Sequence, residues 1–416
     1  MAEIVVFGVS VVLLIVLVGR WYLETRAHNR RLSALGLRVH VNGIRGKSTV
    51  TRIVAGVLRE AGVVTVAKTT GSAAAVIDAG STDRSISRRG AATILEQLDV
   101  VNEYLSDEVQ AFVVECMALR PSYQAISEAM IVRSNIGIIT NVREDHQEIM
   151  GETLPEIARS LLNTCPRNGV LITAEQDAAI LSLMEEEAQR RGSTLMIADP
   201  DAVTDEDIAR FSYVAFKENV AIALSVAYLL GIPRDRAMDG MVKAPPDPGV
   251  LRIMELSIGE KAVTWANLLA VNDRESAVLA VELVMRHRRP DSTTVCLLNN
   301  RSDRERRAMQ FADVTTKDLQ FDRIVTLGAY ERVVTERLIE NGFPRDRIID
   351  LGEEHRPTLE DILERAVTSM PTAHVLLIGM VNIHTEHAEL LLNFLEGDQA
   401  RETSALAEAP DESYPA

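Results

Sequence analysis

Only three cysteines occur in the 416 residues, Cys116, Cys165 and Cys296, far from one another and set among apolar neighbours. That spacing gives neither a disulfide framework nor a metal cluster, and it fits reduced thiols in a cytosolic domain. Net positive charge is lacking as well: 44 Lys and Arg face 60 Asp and Glu, for a formal net charge of −16. This argues against nucleic acid as a partner, because nothing supplies the broad basic field that phosphate neutralisation needs. No lysine occurs between Lys68 and Lys217, and no glycine stands at position 41, where Val41 is found. The second absence breaks the general phosphate-loop pattern G-x-x-x-x-G-K-[ST] by one residue.

What stands there is Asn42-Gly43-Ile44-Arg45-Gly46-Lys47-Ser48-Thr49, a shorter G-x-x-G-K-[ST]-T turn between apolar residues 37–41 and an apolar-periodic run over 48–61. A strand, a turn and a helix are expected, with Gly62 closing the helix as a C-cap. Gly43 and Gly46 allow backbone conformations closed to other residues, so successive N–H groups can face phosphate oxygens with a helix N-terminus behind them. Asn42, Gly43, Arg45, Gly46 and Thr49 are candidate nucleotide-binding residues. Lys47 would reach the terminal phosphates and Ser48 would ligate Mg²⁺.

Two further apolar strands run into polar residues. Residues 110–114 lead to Glu115, a carboxylate poorly placed for structure alone, because burying its charge is costly without a partner. Residues 136–140 lead to Asn141-Val142-Arg143-Glu144-Asp145-His146. Both ends belong on the sheet edge where open α/β sheets place ligands, beside the small-residue loop Lys68-Thr69-Thr70-Gly71-Ser72. Ser48, Glu115 and His146 are the candidate metal ligands; Lys47, Glu115 and His146 are the candidate catalytic group. Thr70, Arg84 and Arg88 in one stretch and Arg301 and Arg304 in another are candidate contacts for an anionic substrate, although a solvated face accounts for either basic cluster equally well. His384-Thr385-Glu386-His387 has i, i+3 spacing and reads as a helix N-terminus rather than a metal motif.

At the N-terminus, residues 4–18 carry no charge and residues 19–23 extend the run to 20, roughly 30 Å of helix, which spans a bilayer. Glu3 precedes it while Arg20, Arg26, Arg30 and Arg31 follow, so the positive-inside rule places the rest in the cytoplasm. A cleaved signal peptide would carry its basic residues first and a small-residue cleavage site after. The expected organisation is a transmembrane anchor at 1–23, a juxtamembrane helical linker at 24–36 and an ATP-binding α/β domain at 37–247. A second α/β domain follows at 248–396, opened by the Pro-Gly cluster at 244–249, and then a disordered acidic tail at 397–416.

In order, Gly43-x-x-Gly46-Lys47-Ser48-Thr49, Glu115 at a strand end and Asn141-x-x-x-Asp145-His146 resemble three features of the Mur ligase and folylpolyglutamate synthase superfamily. These are its ATP loop, its magnesium glutamate and its N-x-x-x-D-H signature. Asn272-Asp273 resembles the turn opening the C-terminal domain of those ligases, although Asn272 with Glu275 is also a sufficient capping box. Arg252 sits where the family carries an arginine near the hinge. The resemblance implies nucleotide contacts for all three. Only 36 residues precede Leu37, most of them anchor, so a domain for a UDP-muramoyl substrate does not fit. A two-domain ligase behind one membrane helix is similar to the ligase subunits of poly-γ-glutamate synthases, the PgsB/CapB family, whose sequences the turn and Ala67-Lys68-Thr69-Thr70-Gly71 also resemble.

The fold implied is α/β: a P-loop-type Mur-ligase central domain with a mostly parallel sheet, then a smaller Rossmann-like C-terminal domain. The cofactors implied are ATP and Mg²⁺. A γ-carboxylate would be activated as an acyl phosphate and attacked by the amine of glutamate, extending poly-γ-glutamate at the cytoplasmic membrane face. A polytopic membrane subunit is the implied partner, since one helix forms no export path; self-association as a homo-oligomer is left open. Many Mur enzymes bridge magnesium with a carbamylated lysine beyond the D-H signature, a device the lysine-free stretch omits. Two other readings remain: a folylpolyglutamate-synthase-like ligase on a soluble acceptor, and a membrane-anchored P-loop ATPase or kinase regulating a partner.

Overall fold

The structure, a computed structural model, describes residues 2–70, 74–86, 93–247, 251–269, 271, 274–286, 288–352, 355–382 and 385–397. The chain divides into two compact units, Met1–Arg210 with Ala215–Asp247, and Phe211–Val214 with Pro248–Ala416.

The strands of the first unit are β1 (Leu37–Asn42), β2 (Thr65–Thr69), β3 (Ala75–Ile77), the polar β4 (Asp83–Ser85), β5 (Ala111–Glu115), β6 (Ile136–Ile139), β7 (Val170–Thr173) and β8 (Thr194–Ile197). They make one sheet in the order β4-β3-β2-β5-β1-β6-β7-β8. It is parallel from β2 to β8, and β3 and β4 add an antiparallel edge. Parallel strands are covered on both faces, which is why Val39, Val41, Val113 and Ile139 are all fully buried. β1 lies between β5 and β6, in a register that sets Val41 beside both Glu115 and Ile138. The carboxyl ends of three strands therefore meet at one point of the edge, where the chain turns into α2 (Lys47–Glu60).

The anchor and linker expected as two segments form one uninterrupted helix, α1 (Ala2–Ala34), since no proline or glycine interrupts residues 20–34. Its apolar stretch is long enough to cross a membrane, and residues 6–23 are exposed. Among the described residues, packing begins at His28, whose Nε2 lies 3.0 Å from Ile131 O, and continues with Arg31 donating to Asn102 Oδ1 at 2.9 Å. Leu32 and Leu35 then enter a core cluster with Val66, Val101 and Phe112.

The second unit holds β9 (Ile253–Ile258), β10 (Lys261–Leu268), β11 (Ser292–Asn300), β12 (Arg323–Gly328), β13 (Ile348–Gly352) and β14 (His374–Met380). Their order is β13-β12-β11-β14-β10-β9. All neighbours are parallel except β9 with β10, which a two-residue turn at Gly259 and Glu260 joins as a hairpin. Cys296 and Leu298 enter one core and Val295 and Leu297 the other, so β11 buries both faces. Phe211–Val214 belongs to this unit, with the Val214 N–H donating to Leu251 O at 2.9 Å.

Candidate functional site

The turn after β1 requires its glycines on two counts. Gly43 has φ 127° and Gly46 φ 80°, in the left-handed region. A Cβ on Gly43 would also lie 2.1 Å from Thr140 Oγ1, and one on Gly46 2.5 Å from Asn219 Oδ1. The end of β6 grips this turn. Thr140 N–H donates to Asn42 O at 2.9 Å and Arg45 N–H to Asn141 Oδ1 at 3.0 Å. Thr140 Oγ1 and Asn141 Nδ2 both donate to Arg45 O, at 2.6 and 3.1 Å. Asn141 thus buttresses the loop, and Asp145 accepts from the Arg45 guanidinium at 3.0 Å.

Lys47 Nζ donates to Gly43 O at 2.8 Å and to Ile44 O at 3.1 Å. Burial pushes this ammonium below the ordinary lysine range, against the opposing charge of Glu115. An ammonium held by loop carbonyls inside a glycine cradle can hand its hydrogen bonds to an arriving phosphate oxygen.

Glu115 is 2% exposed. Its Oε2 accepts from Ser48 Oγ at 2.9 Å and from the Thr70 N–H at 2.8 Å. Both hydrogen-bond partners are neutral, and the Lys47 ammonium, bonded to loop carbonyls, offsets the buried charge only through space. A carboxylate and a hydroxyl are hard oxygen donors, and with a divalent cation between them they would compensate that charge. The residues present therefore fit such an ion.

The remaining candidates divide sharply. His146 has φ 50° and heads the short helix Gln147–Met150; its ring lies 3.8 Å from Asp145 and 3.9 Å from Glu148. Among the described residues no hydrogen bond joins it to Ser48 or Glu115, so the structure brings together two of the three expected ligands. The Asn42 side chain, expected at the nucleotide, turns instead into the core, where its amide donates to Gln124 Oε1 at 3.0 Å and Thr164 Oγ1 at 3.1 Å. Strand alternation sends residue 42 to the face opposite Val41. Thr49 is half-buried in the first turn of α2. Arg84 is exposed on the edge strand β4 and paired with Asp78 at 2.7 Å. Arg252 lies half-buried before β9. Arg88, Asn272 and Asp273 lie outside the described residues.

In the second unit, Arg301 pairs with Asp303 through two 3.0 Å contacts, and Arg304 lies 3.5 Å from Asp303. Arg301, Arg356, Thr385 and His387 line a cleft of about 670 Å³ that also reaches Asn300 and Gly328, where β11 and β12 end.

Sequence reasoning missed a buried polar layer behind the sheet edge. His40, fully buried on β1, places Nδ1 2.8 Å from Glu128 Oε2. Burial opposes its charge, but Cys116 and Glu128 outweigh that and hold the imidazole up at about 9. Lys68, also fully buried, pairs with Glu96 at 2.6 Å. A lysine inside the apolar run of β2 was the available signal for that pair.

Residues 41–225 match the Mur ligase middle domain, and residues 253–398 match the C-terminal domain of poly-γ-glutamate synthase CapB. The chain is 35% identical over 364 residues to the PGA synthase CapB of Bacillus subtilis, covering 87% of this chain and 91% of that one. It is 36% identical over 343 residues to the capsule biosynthesis protein CapB of Bacillus anthracis, covering 82% and 73%. Among solved structures, E. coli FolC in complex with ADP superposes with a TM-score of 0.62 at 13% identity, over 91% of this chain and 93% of that one. The bifunctional folylpolyglutamate synthase/dihydrofolate synthase of Yersinia pestis, complexed with AMPPNP and Mn, does so with a TM-score of 0.58 at 14% identity, over 92% and 93%. With the glycine turn, the buried carboxylate and these likenesses in agreement, the chain belongs to the CapB family of poly-γ-glutamate synthases, within the Mur ligase fold.

Proposed function

We infer that this chain is an ATP-dependent amide ligase that adds glutamate to a growing poly-γ-glutamate chain, with Mg²⁺ as its divalent cation. The observation that carries the reading is the meeting of Ser48 Oγ and the Thr70 N–H on one oxygen of buried Glu115, at the head of a glycine turn that also presents Lys47. The CapB relatives support the substrate, and the fold supports a nucleotide with a divalent cation.

A carboxylate accepts an amine only after one of its oxygens becomes a leaving group. Passing the γ-phosphoryl group of ATP to the terminal γ-carboxylate, with ADP departing, makes that oxygen part of an acyl phosphate. The amine nitrogen of glutamate then forms the C–N bond as inorganic phosphate leaves. The backbone N–H groups of 43–48 would bind the phosphates and orient them. Lys47 would stabilise negative charge building on the transferring group. Ser48 and Glu115, with His146 brought in from its loop, would hold the cation, which supplies charge neutralisation at the phosphates. In the second unit, Arg301 and Arg304 would engage substrate carboxylates in exchange for Asp303, which suits an otherwise acidic protein. By the family resemblance, Arg252, Asn272 and Asp273 would add nucleotide contacts. α1 would hold the enzyme to the membrane as a single pass with the catalytic units in the cytoplasm, next to a polytopic subunit that moves the polymer.

The test is a membrane preparation of the full chain with its membrane partners, given ATP, Mg²⁺ and isotopically labelled glutamate. ADP release that requires glutamate, with products growing by one glutamyl unit, is the expected result. ATP turnover indifferent to glutamate would replace the ligase with an ATPase.

A further inference from the structure

The carboxylate of Glu115 is held not only by the groups it faces but also from behind, through its own backbone. The β2–β5 ladder ends at the pair Lys68 and Val114, so it does not extend to the Glu115 carbonyl. A side chain takes up that carbonyl: Gln97, the second residue of α3 (Glu96–Tyr104), donates from Nε2 to Glu115 O at 3.1 Å. Its Oε1 in turn accepts from Ser127 Oγ at 2.7 Å. Gln97 and Ser127 are both fully buried. The residue before Gln97 ties the same helical turn to the neighbouring strand, since Glu96 Oε1 lies 2.6 Å from Nζ of buried Lys68. Lys68 stands two residues before Thr70, whose N–H donates to Glu115 Oε2. One turn of α3 is thus fastened to both strand ends that deliver the hydrogen bonds and backbone of the metal carboxylate.

We propose that Gln97, locked by Ser127 and seated by the Glu96–Lys68 pair, is a positioning residue that fixes the Glu115 carboxylate for the divalent cation. Gln97 touches neither nucleotide nor substrate in this arrangement; it acts through the Glu115 backbone. The physical argument is that of any outer-shell partner. A buried amide with both ends satisfied has one orientation, and in a low-dielectric setting that orientation passes to the group it bonds. The proposal rests on the reading that Glu115 holds the cation.

The experiment is a Mn²⁺ binding titration of the detergent-solubilised full chain with AMPPNP, following the signal of free aqueous Mn²⁺ by electron paramagnetic resonance. Gln97→Met removes both hydrogen bonds at similar side-chain length, and Ser127→Ala removes only the lock. Ser193→Ala, which loses a buried hydroxyl bonded to Pro166 O at 2.8 Å far along the sheet, measures what general loosening does. Gln97→Met is expected to weaken Mn²⁺ binding about tenfold and Ser127→Ala by a smaller factor, as loss of outer-shell partners does. Ser193→Ala should leave Mn²⁺ binding unchanged at a similar thermal midpoint. If Gln97→Met does not fold, Ser127→Ala alone carries the decision. Glu115→Gln separates the two levels. If it abolishes Mn²⁺ binding while Gln97→Met and Ser127→Ala stay within twofold of the parent, the positioning role is overturned and the metal reading stands. If Glu115→Gln itself binds Mn²⁺ like the parent, the metal reading fails and the proposal falls with it.

Discussion

Ser48 Oγ and Glu115 Oε2 are 2.9 Å apart, although 67 positions separate them in the chain. The distance follows from topology: β1 and β5 are parallel neighbours in register to Val41 and Glu115, so the helix that begins after β1 sets its first hydroxyl over the end of β5. Ser48→Ala would delete one oxygen donor from the proposed cation site without touching the packed face of α2. Expected is a 10- to 100-fold loss of ligase turnover, with a higher half-saturating Mg²⁺ concentration and an unchanged thermal midpoint. Steady-state assays across a Mg²⁺ series check it; an unaltered Mg²⁺ dependence would remove Ser48 from the site.

Gly46→Ala tests the cradle itself. The substitution meets two separate obstacles, a φ of 80° and an Asn219 Oδ1 atom 2.5 Å from the new Cβ. A strained left-handed residue costs about 1–3 kcal/mol. The expected result is a lower thermal midpoint and ADP affinity reduced at least about tenfold, the equivalent of about 1.4 kcal/mol. Adding Asn219→Ala removes the collision but not the backbone strain. Calorimetry of the double variant should therefore recover part of the affinity and no more.

His40 and Glu128 give a pH signature. The imidazole is raised from its ordinary 6.5 to about 9, so the folded state binds its proton more tightly than the unfolded chain does. The stabilisation is complete below about pH 6.5 and is lost as pH rises through 9, with an upper size on the order of 3 kcal/mol. The double variant His40→Gln/Glu128→Gln replaces the charged pair with neutral groups. Thermal unfolding of parent and variant across pH 6 to 10 should show a stability difference that is largest at pH 6 and shrinks toward pH 10. A constant difference would mean that His40 does not carry its proton in the fold.

The legible parts of this molecule are those where chemistry forces a local pattern. Phosphate binding needs glycine conformations and a helix start in one short stretch, so residues 43–48 announce themselves. Glu115 does so because a carboxylate closing the apolar run of β5 has few structural reasons to be there. Asn42 was misjudged because, although β1 alternates Leu37, Val39 and Val41 with Arg38, His40 and Asn42, alternation does not say which face of a parallel sheet is closed by packing, and here Gln124 and Thr164 close the face that Asn42 joins. Gln97 was invisible: an amide on a helix has no signature until the strand end it supports is in place. The hairpin β9–β10 at the edge of the second sheet escaped for a related reason, since strand runs in sequence do not state their direction.

α1 offers a cut point that separates the proposed anchor from the part that packs in the fold. Residues 6–23 are exposed along their whole length, and contact with the first unit starts at His28 and deepens at Leu32, which is 2% exposed. Removal of residues 2–23 should leave the thermal midpoint and ADP binding at parental values while abolishing flotation with liposomes. Removal of residues 2–34 also strips Leu32 from its cluster and breaks the His28–Ile131 and Arg31–Asn102 contacts. Loss of one buried leucine alone costs about 2–5 kcal/mol, so this longer deletion should unfold at a clearly lower temperature. The pair of deletions thus tests the proposed anchor and the docked segment of one helix separately. If the shorter deletion still floats with liposomes, the membrane contact lies elsewhere and the apolar stretch is not the anchor. If both deletions unfold alike, the docking of 28–35 is not what ties α1 to the sheet.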